Sequence, residues 1–308
     1  MRLANRGQPD QTRRDQICNV MIDLHTHTNF SDGTLTPAGL LAEAQQAGLS
    51  AIAITDHDTL GGFDVALPLA VQFGVELVCG VEVSTQLKTT QGPSLPVHVL
   101  GYFFCEVPGE DFRRWLASVS STRYERNVSL MKKLQGANLK ISWEDFPRLG
   151  PAHTARPCIA RVLVEKGYVA DYQSAFDLYL NDSALAEIKR SVPSTQDAIE
   201  WITNNGGIAS LAHPVRIRGQ QPSQCLATIQ ELVQCGLGGL EVYHSDHSRE
   251  DTAFLLQAAE KFNLTPTGGS DYHGENKPGV SLGSGRQGNI AISNSLLRRI
   301  KDCVAQPR

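Results

Sequence analysis

Short apolar runs alternate with amphipathic stretches along most of the chain, and the two periodicities predict strands and helices in turn. VMIDL (20–24) predicts a first strand. TPAGLLAEAQQAG (36–48) follows as a helix, with Thr36 as N-cap, Pro37 in the first turn and Gly48 as the stop. SAIAIT (50–55) is apolar along its length, as a strand covered on both faces is. GGFDVALPLAVQFG (61–74) predicts a weaker helix, because Pro68 interrupts it. ELVCGVEVS (76–84) and PVHVLGYFF (96–104) predict two strands, with QGPS (91–94) as the turn between them.

The rhythm breaks over residues 111–200. DFRRWLASVSSTRYERNVSLMKKLQ (111–135) carries an approximate apolar stripe of Trp115, Val119, Val128, Met131 and Leu134, and predicts a helix. Residues 156–169 and 171–180 also read as helical. The alternation then resumes. Helices are predicted at 195–206, 224–236 and 249–263, and strands at 207–214, 239–244 and from 264 into a loop ending at 274. Repeated β–α units of this size imply an α/β fold on a parallel sheet, either a barrel or an open sheet. The expected organisation is a tail at 1–19, a main domain from 20–107 and 193–308, and a helical insertion at 108–192.

Composition narrows the class. A chain of 308 residues holds one large domain, or one domain with an insertion. Its 28 basic and 32 acidic residues give a net charge of −4, which does not suggest a general nucleic-acid binder but leaves room for a local basic patch. The seven cysteines are scattered, show no CxxC spacing and fall partly in apolar runs. They read as free thiols of a reducing compartment, which makes the cytoplasm the expected location. No apolar run approaches the length of a membrane span. Residues 1–19 carry arginines without a following apolar segment, and read as a disordered tail rather than a secretion signal. Nothing in the pattern sets an oligomeric state.

The chemistry is concentrated in the histidines and carboxylates that close the predicted strands. MIDLHTHTNFSDG (21–33) places His25 and His27 two apart on extended backbone, where both can face one metal, with Asp32 close behind. His57 follows the second strand within DHD. Glu82 interrupts an apolar strand, a costly position for a carboxylate unless it is paired or metal-bound. His98 lies on the next strand, His213 follows GIASLA, and Asp271 and His273 repeat the two-residue spacing after TPTGGS. The C-terminal ends of parallel strands gather on one face, so these residues converge. A single histidine beside a strand is ordinarily structural, but nine convergent ligands exceed what one ion needs and imply two or three divalent metals. Nitrogen and oxygen donors without thiolate suit manganese, the expected metal, with iron or zinc as alternatives. Asp23, Asp56 and Asp58 flank the ligands and are candidates to orient them. There is no P-loop and no nucleophile elbow, and the glycine-rich GSGRQGN (283–289) follows neither spacing. Clustered metals lower the pKa of a bound water and neutralise phosphoryl oxygens, which points to phosphate esters.

DLHTHTNFSDGTLTP, ITDHDTLGG, GVEVS, PVHVLGYF, AHP, EV at 241–242 and GSDYHG together resemble the PHP (polymerase and histidinol phosphatase) superfamily. The matching stretches run from 21 to 274 in the family's order. The resemblance implies a distorted (β/α)7 barrel, a trinuclear metal centre and phosphoester hydrolysis by a metal-bound hydroxide. Carried over by position, it gives His25, His27, Glu82 and Asp271 to one metal. Glu82 then bridges to a second, completed by His98 and His213, and Asp32, His57 and His273 hold a third. The SDG form and the insertion resemble the branch that removes the 3′-phosphate from nucleoside 3′,5′-bisphosphates, with the insertion as substrate lid. In that branch an Arg-x-His pair opens the lid helix. Here TARPCIARVL keeps Arg156 but has Cys158 in the histidine position.

Arg156 is therefore the candidate for the substrate's second phosphate, through its bidentate fork. His153 is a candidate to compensate for the missing imidazole, and His244, near a strand end, a candidate for phosphate contact or general-acid work. The partner expected is a small phosphorylated nucleotide. A 5′→3′ exoribonuclease on short RNA shares the chemistry, and Arg113, Arg114, Arg123, Arg126, Lys132 and Lys133 would then line a longer cleft. Histidinol phosphate phosphatase is disfavoured by Asp32. A metal-stabilised accessory module without activity is the reading furthest from the ligand pattern.

Overall fold

The structure, a computed structural model, describes residues 21–88, 94–146, 154, 156–181, 188, 191–217 and 222–305. The expected tail, most of the 91–94 turn and His153 lie outside the described residues. Seven strands form one sheet in chain order: β1 (Met21–Thr26), β2 (Leu49–Ile54), β3 (Glu76–Leu87), β4 (Leu95–Phe103), β5 (Ile208–Leu211), β6 (Gly239–His244) and β7 (Thr265–Gly269). The sheet nearly closes on itself. His27 N donates to Tyr272 O at 2.9 Å and Asp271 N to His25 O at 2.8 Å, so the chain leaving β7 lies against β1. Gly269 permits that approach, because a Cβ there would lie 2.2 Å from His25 N. The result is a distorted (β/α)7 barrel.

One strand departs from the parallel expectation. β4 pairs antiparallel with both β3 and β5, whereas the other pairings are parallel. The link between β3 and β4 is too short for a crossover helix, so the chain turns straight back. The inversion matters to the site. Ser84 pairs with His98, so the early part of β4 meets the late part of β3 at the rim where the other strands end.

α1 (Pro37–Gln46) starts as its sequence predicts, with Thr36 Oγ1 accepting from Gly39 N at 3.1 Å. α2 (Gly61–Phe73) runs on through Pro68. Pro68 is exposed, so the carbonyl that loses its partner faces water and the interruption is tolerated. β2 is buried on both faces. Ile52 and Ile54 join a core beneath the outer helices, while Ala51 and Ala53 join Ile22, Leu24, Leu100 and Tyr102. The last helix, Asn294–Ala305, sends Leu297 and Ile300 into that second core.

The segment between β4 and β5 holds α3 (Glu110–Gly136), α4 (Arg156–Glu165), α5 (Tyr172–Ala175) and α6 (Thr195–Asn204). α3 serves two cores. Phe112 and Leu116 pack on the barrel, whereas Leu130, Met131 and Leu134 build a separate cluster with Cys158, Ile159, Leu163 and Leu180. Its buried stripe also contains Arg123 and Asn127, and Val128 and Trp115 are only partly buried. The single helix expected over 171–180 splits, with α5 passing into a π-helical turn at Phe176–Leu180 that Asn181 N closes on Phe176 O. Cys79, Cys158 and Cys225 are buried free thiols, Cys105 is exposed and Cys235 half-buried. Among the described residues no helix is long and apolar enough to cross a membrane.

Candidate metal centre

His25, His27, Asp32, His57, Glu82, His98, His213, Asp271 and His273 meet at the rim where β1, β2, β3 and β5–β7 end and β4 begins. His25 Nε2 and His27 Nε2 lie 3.2 and 3.1 Å from Glu82 Oε2, and 3.5 and 3.4 Å from Asp271 Oδ1. Bonds of about 2.0–2.2 Å to a central ion set neighbouring ligand atoms roughly 3.0–3.5 Å apart, so these four atoms have the spacing of a coordination shell. Glu82 turns its other oxygen, Oε1, to His98 Nδ1 and His213 Nε2, each at 2.8 Å. His57 lies between Glu82 Oε2 (3.3 Å from Nδ1) and Asp32 Oδ2 (3.7 Å from Nε2). His273 Nε2 is 3.1 Å from Asp32 Oδ1, and His27 Nδ1 is 3.5 Å from the same atom.

Glu82 is hydrogen-bonded to His25, His98 and His213, but the other contacts are short without hydrogen-bond alignment. His27 Nε2, Asp32 Oδ1 and His57 Nδ1 are buried with no hydrogen-bond partner among the described residues. Buried polar atoms left unpaired are costly, and here they border shared spaces enclosed by other donors. The donor set therefore fits divalent cations. The clusters have the capacity for two or three of them.

Charge gives the same answer. Burial would raise the carboxyls of Asp32, Glu82 and Asp271, but the facing histidines, with Lys277 at Asp271, hold all three well below the carboxylate range. Glu241 is likewise lowered, to about 2, by His25, His244 and His213 against burial. Burial would lower His25, yet Glu241, Glu82 and Asp271 hold it well above its ordinary value. His27 is raised to about 9 against burial by Asp271, Glu82 and Asp32. Burial carries His57 down to about 3, and burial with Arg216 carries His213 well below its usual range. Four buried carboxylates are thus held ionised by facing positive charge from histidines and Lys277, the charge that bound cations would supply in their place.

The surrounding residues orient the ligands. Glu241 Oε1 is 2.7 Å from His25 Nδ1, which assigns the proton to Nδ1 and leaves the Nε2 lone pair for a metal. Its Oε2 accepts from His213 N at 2.6 Å. Asp23 accepts from Ser270 N and Oγ, Gly283 N and His25 N, so it fixes backbone rather than an imidazole. Asp56 gathers Thr28 N, Thr28 Oγ1 and Ser31 Oγ at 2.6–2.7 Å and shapes the loop ahead of Asp32. Asp58 accepts from Ser84 N at 2.7 Å and from Arg123 Nη2 at 2.8 Å. Asp58, His213 and Asp271 have φ of 58°, 30° and 55°. Left-handed backbone in such residues costs about 1–3 kcal/mol each and gathers at functional sites.

A cleft of about 950 Å³ opens over the cluster, lined by Asp32, His57, Glu82, His98, Asp271 and His273. Arg156 lines it, with Arg123 and Arg126, and donates from Nη1 to Leu180 O at 3.2 Å. Arg113 and Arg114 do not; they pair with Asp64 and Asp111 at the surface. His244 is buried behind Asp271, its Nε2 3.2 Å from Oδ2, and is not part of the cleft lining. Cys158 is buried in the insertion's core, where Asn276 Nδ2 donates to its sulfur at 3.3 Å and to Asp32 O at 2.7 Å. Arg216 and Lys277 also line the cleft and meet Asp271 Oδ2 at 3.1 and 2.6 Å. Arg216 and Lys277 do not stand out as site residues in the sequence, and Glu241, though within the matching EV stretch, is not among the ligand candidates read from it. Glu241 in GLEVYH repeats the signal of Glu82 in GVEVS, a lone carboxylate in an apolar strand.

A family model described as the PHP domain matches residues 23–191. The chain belongs to the PHP domain family. This PHP chain is 32% identical over 256 residues to a phosphoribosyl 1,2-cyclic phosphate 1,2-diphosphodiesterase from Eggerthella lenta, covering 82% of this chain and 94% of that one. It is 31% identical to a 5′-3′ exoribonuclease from Haemophilus influenzae (82% and 89% covered) and 31% identical to a 3′,5′-nucleoside bisphosphate phosphatase from Chromobacterium violaceum (85% and 90%). A solved metal-dependent phosphoesterase from Bifidobacterium adolescentis superposes with a TM-score of 0.77 at 30% identity, over 92% of this chain and 96% of that one. Family, fold and ligand clusters together make this PHP chain a metal-dependent hydrolase of phosphate esters. The three relatives act on three different substrates at nearly equal identity, so similarity selects none of them.

Proposed function

We propose that this PHP chain removes the 3′-phosphate from nucleoside 3′,5′-bisphosphates. The observation that carries the reading is Arg156, a cation from the insertion helix α4 placed in the same cleft as the ligand clusters. In this reading a substrate with one phosphate at the metals presents its second phosphate to that guanidinium, whose planar fork suits two phosphate oxygens. Manganese is the proposed ion, held as two or three per chain by His25, His27, Asp32, His57, Glu82, His98, His213, Asp271 and His273. Such ions supply Lewis acidity at the phosphoryl group and acidify a bound water.

The chain's own groups do the rest. Glu241 sets the His25 tautomer. His244 and Lys277 hold the second oxygen of Asp271 and so aim the first. This assigns His244 to positioning rather than to direct proton transfer. The insertion at 108–192 acts as the lid that carries Arg156 over the substrate and excludes water.

The test is phosphate release by manganese-loaded protein from 3′-phosphoadenosine 5′-phosphate, adenosine 5′-monophosphate, histidinol phosphate and a 5′-phosphorylated RNA pentamer. A strong preference for the bisphosphate, lost in Arg156→Ala, is the expected result. Stepwise release of mononucleotides from the pentamer alone would make the protein an exoribonuclease instead.

A further inference from the structure

The glycine-rich stretch GSGRQGN (283–289) contributes no ligand to the metal clusters, yet its backbone is closely determined. Gly283, Gly285, Gln287 and Gly288 are all left-handed, with φ of 72°, 71°, 53° and 73°. Gly283 N donates to Asp23 Oδ2 at 2.8 Å. Asn289 Nδ2 donates to Ser245 O at 3.0 Å, while Asn289 Oδ1 accepts from Arg286 N at 2.8 Å. This folded loop carries one charged side chain, Arg286.

Arg286 Nε donates to Asp246 Oδ1 at 3.2 Å, and its Nη1 to Pro278 O at 3.3 Å. Asp246, from the loop after β6, also accepts from Arg216 Nη2 at 3.0 Å and lies 3.7 Å from Lys277 Nζ. Arg216 follows β5 and Lys277 follows β7. Three loops after successive strands and the glycine-rich turn thus bring three cations to one carboxylate, and all three cations line the cleft. The balance is not neutral. Among the described residues, the carboxylates paired with them are Asp246 and Oδ2 of Asp271, whose Oδ1 is turned toward His25 and His27. The remaining N–H groups of Arg216 and Arg286 have no acceptor among the described residues, and both side chains are nearly half exposed, at 44% and 43%.

We propose that Arg216, Lys277 and Arg286, tied together by Asp246, form an oxyanion subsite for the terminal phosphoryl group of a phosphomonoester. The inference rests on the phosphoester-hydrolase reading and deepens it. A monoester dianion carries one more charge than a diester, and it presents a third oxygen free of carbon. Bound metals meet part of that charge, and surplus cations beside Asp271 meet the rest through charge-assisted hydrogen bonds. The subsite makes the cleft select monoesters over diesters by charge.

The experiment compares p-nitrophenyl phosphate with bis(p-nitrophenyl) phosphate, using manganese-loaded wild type, Arg286→Ala, Arg286→Lys and Asp246→Asn. Removing one charge-assisted contact should lower kcat/KM for the monoester about tenfold more than for the diester, with Arg286→Lys recovering part of the loss. Asp246→Asn, which releases the cations from their anchor, should shift the ratio in the same direction. Titration calorimetry of inorganic phosphate into the same proteins reads the subsite without turnover. Its affinity should fall about tenfold in Arg286→Ala while metal content per chain stays at the wild-type value. Equal losses on both esters, or an unchanged phosphate affinity, would overturn the subsite. Wild-type protein that cleaves neither ester would instead overturn the hydrolase reading, and the calorimetry would still decide the subsite.

Discussion

His27 shows how one residue links the fold to metal uptake. In the metal-free protein its imidazole is raised to about 9, because Asp271, Glu82 and Asp32 outweigh its burial. A raised histidine stabilises the fold fully below its unfolded pKa of about 6.5, and the contribution fades as pH climbs through the folded value. Chelator-treated protein should therefore lose thermal stability between about pH 6.5 and 9. A cation binding at neutral pH must displace the proton, so metal loading should release protons at pH 7 and strengthen toward pH 9. Calorimetry in two buffers of different ionisation enthalpy measures that release, and equal heats in both would contradict the protonated His27. The nine candidate ligands that meet at the rim were legible in the sequence because histidine and acid side chains at strand ends are conspicuous. Glu241 was equally conspicuous in type, but its role depends on reaching His25 and His213 from strand β6, and a linear pattern does not contain that proximity.

Among the elements, α3 joins insertion to barrel through a buried ion pair beside the site. Its buried stripe includes Arg123, which pairs with Asp58 beside His57 and donates from Nη2 to Ser84 Oγ at 2.9 Å. Read as a surface helix, this arginine looked like one of several basic side chains on α3. The fold buries it because Asp58 points out of the rim toward α3. Arg123→Ala leaves the Asp58 carboxylate buried without its partner and should cost about 3–5 kcal/mol in urea unfolding. Pairing it with Asp58→Ala should recover much of that cost, since the uncompensated charge is then gone. An additive double mutant would show that the pair is not coupled. The inverted β4 was hidden for a related reason. Apolar alternation reports that a strand exists, whereas its direction depends on a connection too short to carry a crossover helix. The cation group around Asp246 was less legible still, because residues 216, 246, 277 and 286 meet only when four loops are folded.

For the whole molecule, the two cores of the barrel and the smaller cluster of the insertion divide the work. The barrel cores support the candidate ligands, and the smaller cluster of Leu130, Met131, Leu134, Ile159, Leu163 and Leu180 holds the helix that bears Arg156. The division bears on the proposed lid, which would move against a metal centre that stays fixed. Elements that move in function come from the less stable end of a fold, and a separate core lets stability fall there alone. Leu163, fully buried in the small cluster, tests this. Leu163→Ala removes packing worth about 2–5 kcal/mol. If the cluster unfolds as its own unit, amide exchange should accelerate across 156–165 while β1, β2 and β6 keep their protection, and metal content should hold at the wild-type level. The KM for a bisphosphate should then rise, because Arg156 is no longer held over the cleft, while cleavage of a small monoester changes little. Equal loss of protection in the strands would mean that the insertion and barrel unfold as one body, and the lid reading would fail with it.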